Sequence, residues 1–390
     1  MTYDAAAHAW AAHLRDGGTD AWDAARWSDA TTGGSAPAAP SAVHLELLRR
    51  FNLAGHGPVP AGLADAVLTT ARPGRGPVDP PLPWPGRPAF GSPALDPATL
   101  VPELLVRLAA GVVVRLLADV PDPEPGPAPL AGRRAWPWRT GFVLHGTRTG
   151  TAPVRERLLA AGAVEGGRRP VHLVLGLPLE LAMAQHWAGR VAGGGVLPWM
   201  ALWRRAASTE RLPDPVDTDR LAEQLAAEHP GRVHVVVAAD PAGLASGALD
   251  VLGLTGRPGV PPPGVQLPRW DLQRRVNRLA PLARGPVTGQ ALARRAAPAL
   301  DALAAASPDA WTEPAAAPAA HREWAARAAA DLATRVDEAG YPVHGDPGVL
   351  ARATPRTGRV RRGTVDRSQT LDLTLAACLR LWRSQEGPRR

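Results

Sequence analysis

The chain has 390 residues, 45% of them hydrophobic, with 43 Pro, 40 Gly, a single Cys and a formal net charge of +8. That much apolar material excludes a disordered chain, and the Pro and Gly content means many turns. The lone Cys378 excludes an intramolecular disulfide and a Cys-based zinc site.

At this length two domains fit, or one large α/β domain with an extension. Lys and Ile are absent, so all 44 basic residues are Arg. The excess of positive charge invites a nucleic-acid reading. Against it, the Arg residues are spread among 36 Asp and Glu, and the densest cluster, Arg352 to Arg367, sits in Gly/Thr/Pro-rich sequence. A dedicated nucleic-acid partner is not expected. No run approaches the ~20 apolar residues of a membrane span. MTYDAAAHAW also lacks the basic start and apolar core of a signal peptide, so a cytoplasmic protein with no membrane partner is expected.

Residues 3–15 have helical spacing through Ala7, Trp10, Ala11 and Leu14, and stop at Gly17-Gly18. A Ser/Gly/Ala/Pro linker at 31–41 precedes helices at Ala42–Leu53 and Leu63–Thr70. A Pro-rich stretch, 73–97, leads to a strong helix predicted from Asp96 to Val120, with Asp96 as cap and Pro97 in the first turn. Residues 1–125 thus read as a small all-helical domain, followed by a linker at 126–138.

Beyond it the pattern alternates. Strands are predicted at 141–145, 172–177 and 232–238, and helices at 152–162, 179–192, 199–207, 217–229 and 241–253. Short, nearly continuous apolar strands separated by helices indicate a central parallel sheet covered by helices, an α/β fold over 139–350. After Pro261-Pro262-Pro263, helices are predicted at 269–282, 292–305 and 321–339. A basic segment and a last helix, 367–382, make up 351–390.

The first of those strands ends in His145-Gly-Thr-Arg-Thr-Gly-Thr151 and is followed by a helix. Strand, glycine-bearing turn and helix aim backbone N–H groups and a helix N-terminus at one place, which suits phosphate or sulfate. Amides from Gly146 to Thr151, the guanidinium of Arg148 and the hydroxyls of Thr149 and Thr151 are the candidate donors. An ordinary strand-to-helix turn capped by Thr is the equal alternative. The segment is no Walker motif, which needs Lys.

The order of pieces from Trp138 onward resembles the sulfotransferase-like P-loop proteins common in actinobacteria. His145–Thr151 looks like their 5′-phosphosulfate loop. Val171 to Trp187 resembles the second strand and helix, and Arg232-Val-His-Val-Val-Val237 the third strand. Leu272-Gln-Arg-Arg-Val-Asn277 and Ala339-Gly-Tyr-Pro-Val-His-Gly-Asp346 resemble later family segments. The helical N-terminal region, with Leu45-Glu-Leu-Leu-Arg-Arg-Phe-Asn52, resembles an extension seen before such domains.

The resemblance implies sulfuryl transfer from 3′-phosphoadenosine-5′-phosphosulfate (PAPS, leaving PAP) to a hydroxyl or amine acceptor whose identity stays open. His145, Gly146, Thr147, Arg148, Thr149, Gly150 and Thr151 would then bind the cofactor. Arg148 would hold charge, and Glu156 would be the base, by an offset seen in glycosaminoglycan sulfotransferases; read from its neighbours Arg155 and Arg157 alone, Glu156 is a solvated surface residue. Glu180 and His186 follow the second strand and are further candidates for the same cleft.

The departures are specific. The loop's Lys is replaced by Arg148, which is planar and larger. The family's Arg-Asp pair at the end of the second strand, whose Arg holds the 3′-phosphate, is Leu177-Pro178 here, and Ala152-Pro153 replaces a hydroxyl residue. The alternative expectation is therefore a catalytically degenerate descendant that binds a nucleotide or other anionic small molecule, or acts as an interaction module. No metal site is expected, because His321, Glu323 and Asp331 do not converge.

Overall fold

A computed structural model of the chain describes residues 3–27, 40–70, 80–85, 93–122, 141–255, 265–282, 288–306, 316–353 and 365–386. The linker at 126–138, Pro261-Pro262-Pro263, and most of the 31–41, 73–97 and 352–367 segments lie outside them. The elements run α1 (Tyr3–Arg15), α2 (Ala24–Trp27), α3 (Ala42–Gly55), α4 (Ala61–Thr69) and α5 (Pro102–Leu117). Then come β1 (Gly141–His145), α6 (Arg148–Ala160), β2 (Val164–Glu165), β3 (Val171–Gly176), α7 (Leu179–Ala192), α8 (Trp199–Thr209), α9 (Thr218–Glu228), β4 (Val233–Val237) and α10 (Pro241–Val251). The chain finishes with α11 (Leu267–Leu279), α12 (Gly289–Ala306), α13 (Arg322–Asp337), β5 (Val343–His344) and α14 (Arg367–Glu386).

These elements form two compact units. A helical unit takes Met1–Pro123, Asp271–Ser307 and Asp366–Arg390, and a sheet unit takes Glu124–Trp270 and Pro308–Val365. The expected domains followed chain order, whereas α12, α14 and most of α11 group with the amino-terminal helices.

In the helical unit α14 packs along α5, with Thr370, Leu373, Ala377 and Cys378 buried and the Cys378 thiol donating to the Ala109 carbonyl at 3.8 Å. The helix predicted from Asp96 to Val120 is split. Asp96 accepts from the Ala98 N–H at 2.9 Å and caps a short turn, Pro97–Thr99. Pro102 then forces Val101 into extended backbone (φ −69°, ψ 140°), and α5 starts afresh there.

An ionic network is buried in this unit. Asp271, nearly inaccessible, accepts from Arg274 at 2.7 Å, Arg275 at 2.8 Å and Arg367 at 2.8 Å, while Arg275 makes a bidentate pair with Glu103 at 2.9 and 2.8 Å. Burial drives the Asp271 carboxyl up, but the three guanidiniums outweigh it and hold it below the ordinary carboxylate range. Asp271→Asn leaves buried Arg274 without its carboxylate partner and Arg275 with Glu103 alone, and we expect a loss of roughly 3–5 kcal/mol of stability, measured by urea denaturation.

The sheet unit holds one all-parallel sheet in the order β2-β1-β3-β4-β5. The three central strands match the predicted ones within a residue or two. The two-residue edge strands β2 and β5 were not expected. Gly247 of α10 lies against Val236, while Thr218 of α9 lies beside Gly176 and Val237. Neighbouring strand residues point to opposite faces, so α9 and α10 cover opposite sides of the sheet. The central strands are Val-rich and mostly buried, as a doubly covered parallel sheet requires.

Histidines punctuate this sheet. His145 Nε2 and His172 Nδ1 share a hydrogen bond of 3.0 Å, and His172 stacks on His229 with ring centroids 4.0 Å apart. On β4 and β5, His234 Nδ1 and His344 Nε2 are also 3.0 Å apart. Burial, then His172 and His229, pull His145 down to about 4, and burial also lowers His172 and His234. An unfolded histidine titrates near 6.5, so between about pH 6.5 and 4 the unfolded chain binds more protons, and stability is lost as the pH is lowered through that range. Thermal melts at pH 7.5 and 4.5 should differ by about 5 °C or more, with a smaller difference in a His145→Gln/His172→Gln variant.

Candidate functional site

At the carboxyl end of β1 the chain turns through Gly146, whose φ of 140° suits glycine, and Thr147. The helix was expected from residue 152. Instead α6 starts at Arg148, and the amides of Gly150 and Thr151 both donate to the Thr147 carbonyl, at 3.0 and 2.9 Å. The seven-residue loop of the sequence is thus a two-residue turn followed by one helical turn. Only the earliest amides of that turn lack an acceptor inside the helix.

That turn is docked on α7. The Thr147 hydroxyl donates to Oε1 of buried Gln185 at 2.7 Å, and the Thr149 hydroxyl donates to the Gln185 carbonyl at 2.7 Å. Gly150 has no room for a β-carbon beside Gln185 and Thr147, and Gly189 lies beside Arg148 and Thr149. The space left among Thr147, Gly150, Leu177, Gln185 and Val216 is about 10 Å³. One water needs roughly 10–15 Å³, so a phosphate group does not enter this space unless Gln185 moves. Gly150→Ala should cost about 1–3 kcal/mol by overpacking. Denaturation of Gly150→Ala in a Gln185→Ala background should show a smaller loss.

The other expected residues scatter. Arg148 is exposed and, among the described residues, makes no ion pair. Glu156 is exposed on the same helix, eight residues on, which is about 12 Å along the axis. Thr151 spends its hydroxyl on the Arg148 carbonyl at 3.1 Å, and His145 is engaged with His172. Buried Glu180 accepts the Ala317 N–H at 2.6 Å and anchors that segment. Leu177 is buried, and Pro178 precedes the first turn of α7. Among the described residues no three His, Cys, Asp or Glu converge as metal ligands, and no helix is long and apolar enough to cross a membrane.

His186, by contrast, opens onto a cavity of about 470 Å³ in the same unit. Its wall carries Arg190 from α7, Arg205 and Thr209 from α8, Arg211 and Asp214 from the following loop, and Arg220 from α9. Four guanidiniums therefore meet one carboxylate. Asp214 pairs loosely with Arg220 at 3.6 Å, and among the described residues Arg190, Arg205 and Arg211 have no ion pair. Of the neighbouring acids, Asp217 and Asp219 bind Arg335 at 3.0 and 2.9 Å, with Tyr341 donating to Asp219 at 2.9 Å, and together with Glu210 and Glu223 they line an adjoining cavity of about 470 Å³ that shares Arg211 and Arg220. Burial, then the charge of Arg190, hold His186 down at about 4, so it is neutral at pH 7.

The volume falls within the 300–1,000 Å³ typical of small-molecule sites. Sequence reasoning reached His186 but missed the arginines. The signal available was the i, i+4 spacing of His186 with Arg190 and of Arg205 with Thr209, which places each pair on one helix face.

The fold and these cavities define an α/β protein with an all-parallel five-stranded sheet and an arginine-lined cavity beside α7, α8 and α9. Comparisons with family models, curated proteins and solved structures give no match.

Proposed function

We propose that this chain is a cytoplasmic anion-binding protein, whose sheet unit holds a small phosphate- or sulfate-bearing molecule between Arg190, Arg205, Arg211 and Arg220. One observation carries the reading: four guanidiniums line a ligand-sized cavity with Asp214 as its one carboxylate. Guanidinium forks match phosphate and sulfate oxygens two at a time, and such charge-assisted bonds are stronger than neutral ones. Neutral His186 adds a donor or an acceptor at the cavity wall. The exposed side chains make binding sensitive to salt. In this reading the 146–151 segment is a structural joint, and the sulfotransferase-like pattern is a degenerate one.

A second reading, sulfuryl transfer from PAPS, draws support from the β1–Gly146–α6 layout and from Arg148 standing exposed at the first turn of α6. The two separate by calorimetry with inorganic pyrophosphate and with PAP. We expect pyrophosphate binding that weakens about tenfold in Arg205→Ala or Arg211→Ala, near 1.4 kcal/mol, and is unchanged in Arg148→Ala. PAP binding lost in Arg148→Ala but kept in Arg205→Ala would establish the second reading. No heat with either ligand would defeat both.

A further inference from the structure

The helical unit has a cleft of about 310 Å³ between α5 and α11. Two carboxylates lie in or beneath it, and both are spent. Glu103 is gripped by both arms of Arg275 and by Arg367 at 3.0 Å, and Asp271 by Arg274, Arg275 and Arg367. Two further guanidiniums face the cleft, Arg107 one turn beyond Glu103 on α5 and Arg278 one turn beyond Arg274 on α11. Both are exposed, and neither has an ion pair among the described residues. The rest of the wall is apolar: Ala110, Leu279 and Leu282, the last with 67% of its surface exposed.

We infer that this cleft is a second binding site, independent of the sheet unit, for a small molecule that joins one phosphate or carboxylate to a short apolar body. The anionic group sits between Arg107 and Arg278, where the network beneath has neutralised the carboxylates that would repel it. The apolar body covers Leu279 and Leu282. Burying an alkyl chain there gives such a ligand an advantage over the bare anion, at roughly 0.8 kcal/mol for each buried methylene.

Calorimetry on the full chain tests this with octyl phosphate, kept below its micelle concentration, and inorganic phosphate. Octyl phosphate should bind at least tenfold more tightly than phosphate. Arg107→Ala and Arg278→Ala should each weaken it about tenfold, and Leu282→Ser should weaken octyl phosphate but not phosphate. Both arginines lie outside the Asp271 network, so circular dichroism of these variants should match the parent. Arg205→Ala should leave octyl phosphate binding unchanged, which separates this site from the cavity of the sheet unit. The inference is overturned by absent binding or by affinity indifferent to the Arg107→Ala/Arg278→Ala double variant. Arg278-dependent co-sedimentation with phosphatidylglycerol vesicles would also overturn it, by assigning the cleft to a lipid surface.

Discussion

Thr147 donates its hydroxyl proton to the side chain of Gln185, and Thr149 donates to the carbonyl of the same residue. One position on α7 thereby holds the whole first turn of α6 against the carboxyl edge of the sheet. The glycines that sequence inspection assigns to a phosphate cradle serve helix-on-helix contact instead: Gly150 admits Gln185, and Gly189 admits the start of α6. A glycine reports that something comes close to the backbone, and it does so equally for a ligand and for a neighbouring helix. The carboxyl edge of a parallel sheet is the usual place for a ligand. Here the protein's own amide group lies there, and the nearby cavity with room for an anion is one layer further out, among α7, α8 and α9.

Much of the fold was legible because its signals are local. The runs Phe142-Val143-Leu144, Leu173-Val174-Leu175 and Val235-Val236-Val237 are too short and too β-branched or apolar for exposed helix, and each is followed by a helix, the last with a clear start. Asp240 before Pro241 is such a start, and its side chain does accept from the Gly243 N–H at 2.8 Å. What stayed hidden was set by tertiary contact. Val164–Glu165 and Val343–His344 are strands only because β1 and β4 lie beside them. The early start of α6 depends on Gln185, thirty-eight residues from Thr147.

The candidate site was harder for a compositional reason. Among 44 arginines and no lysine, Arg211 and Arg220 carry no mark in the sequence, and Arg190 and Arg205 carry only their i, i+4 spacing with His186 and Thr209. They become a group only when three helices and a loop bring them to one cavity, and when Arg335 and Tyr341 draw Asp217 and Asp219 away from it. Which guanidiniums are neutralised and which remain open is a property of packing. The chain's net charge says nothing about it.

The helical unit makes the same point about assembly. Glu103 comes from the first of its three chain segments, Asp271 and Arg275 from the second, and Arg367 from the third. The buried network therefore joins all three, across sequence separations of 172 and 96 residues. An isolated buried pair adds little net stability, because desolvation offsets the attraction. A network in which each member is unsatisfied without the others penalises any arrangement that omits a segment. Contacts of such long range are also slow to form, because the loop-closure entropy comes before the gain. The helical unit reaches its final packing only after the segment that starts with α14 has joined it, although its first helix begins at residue 3.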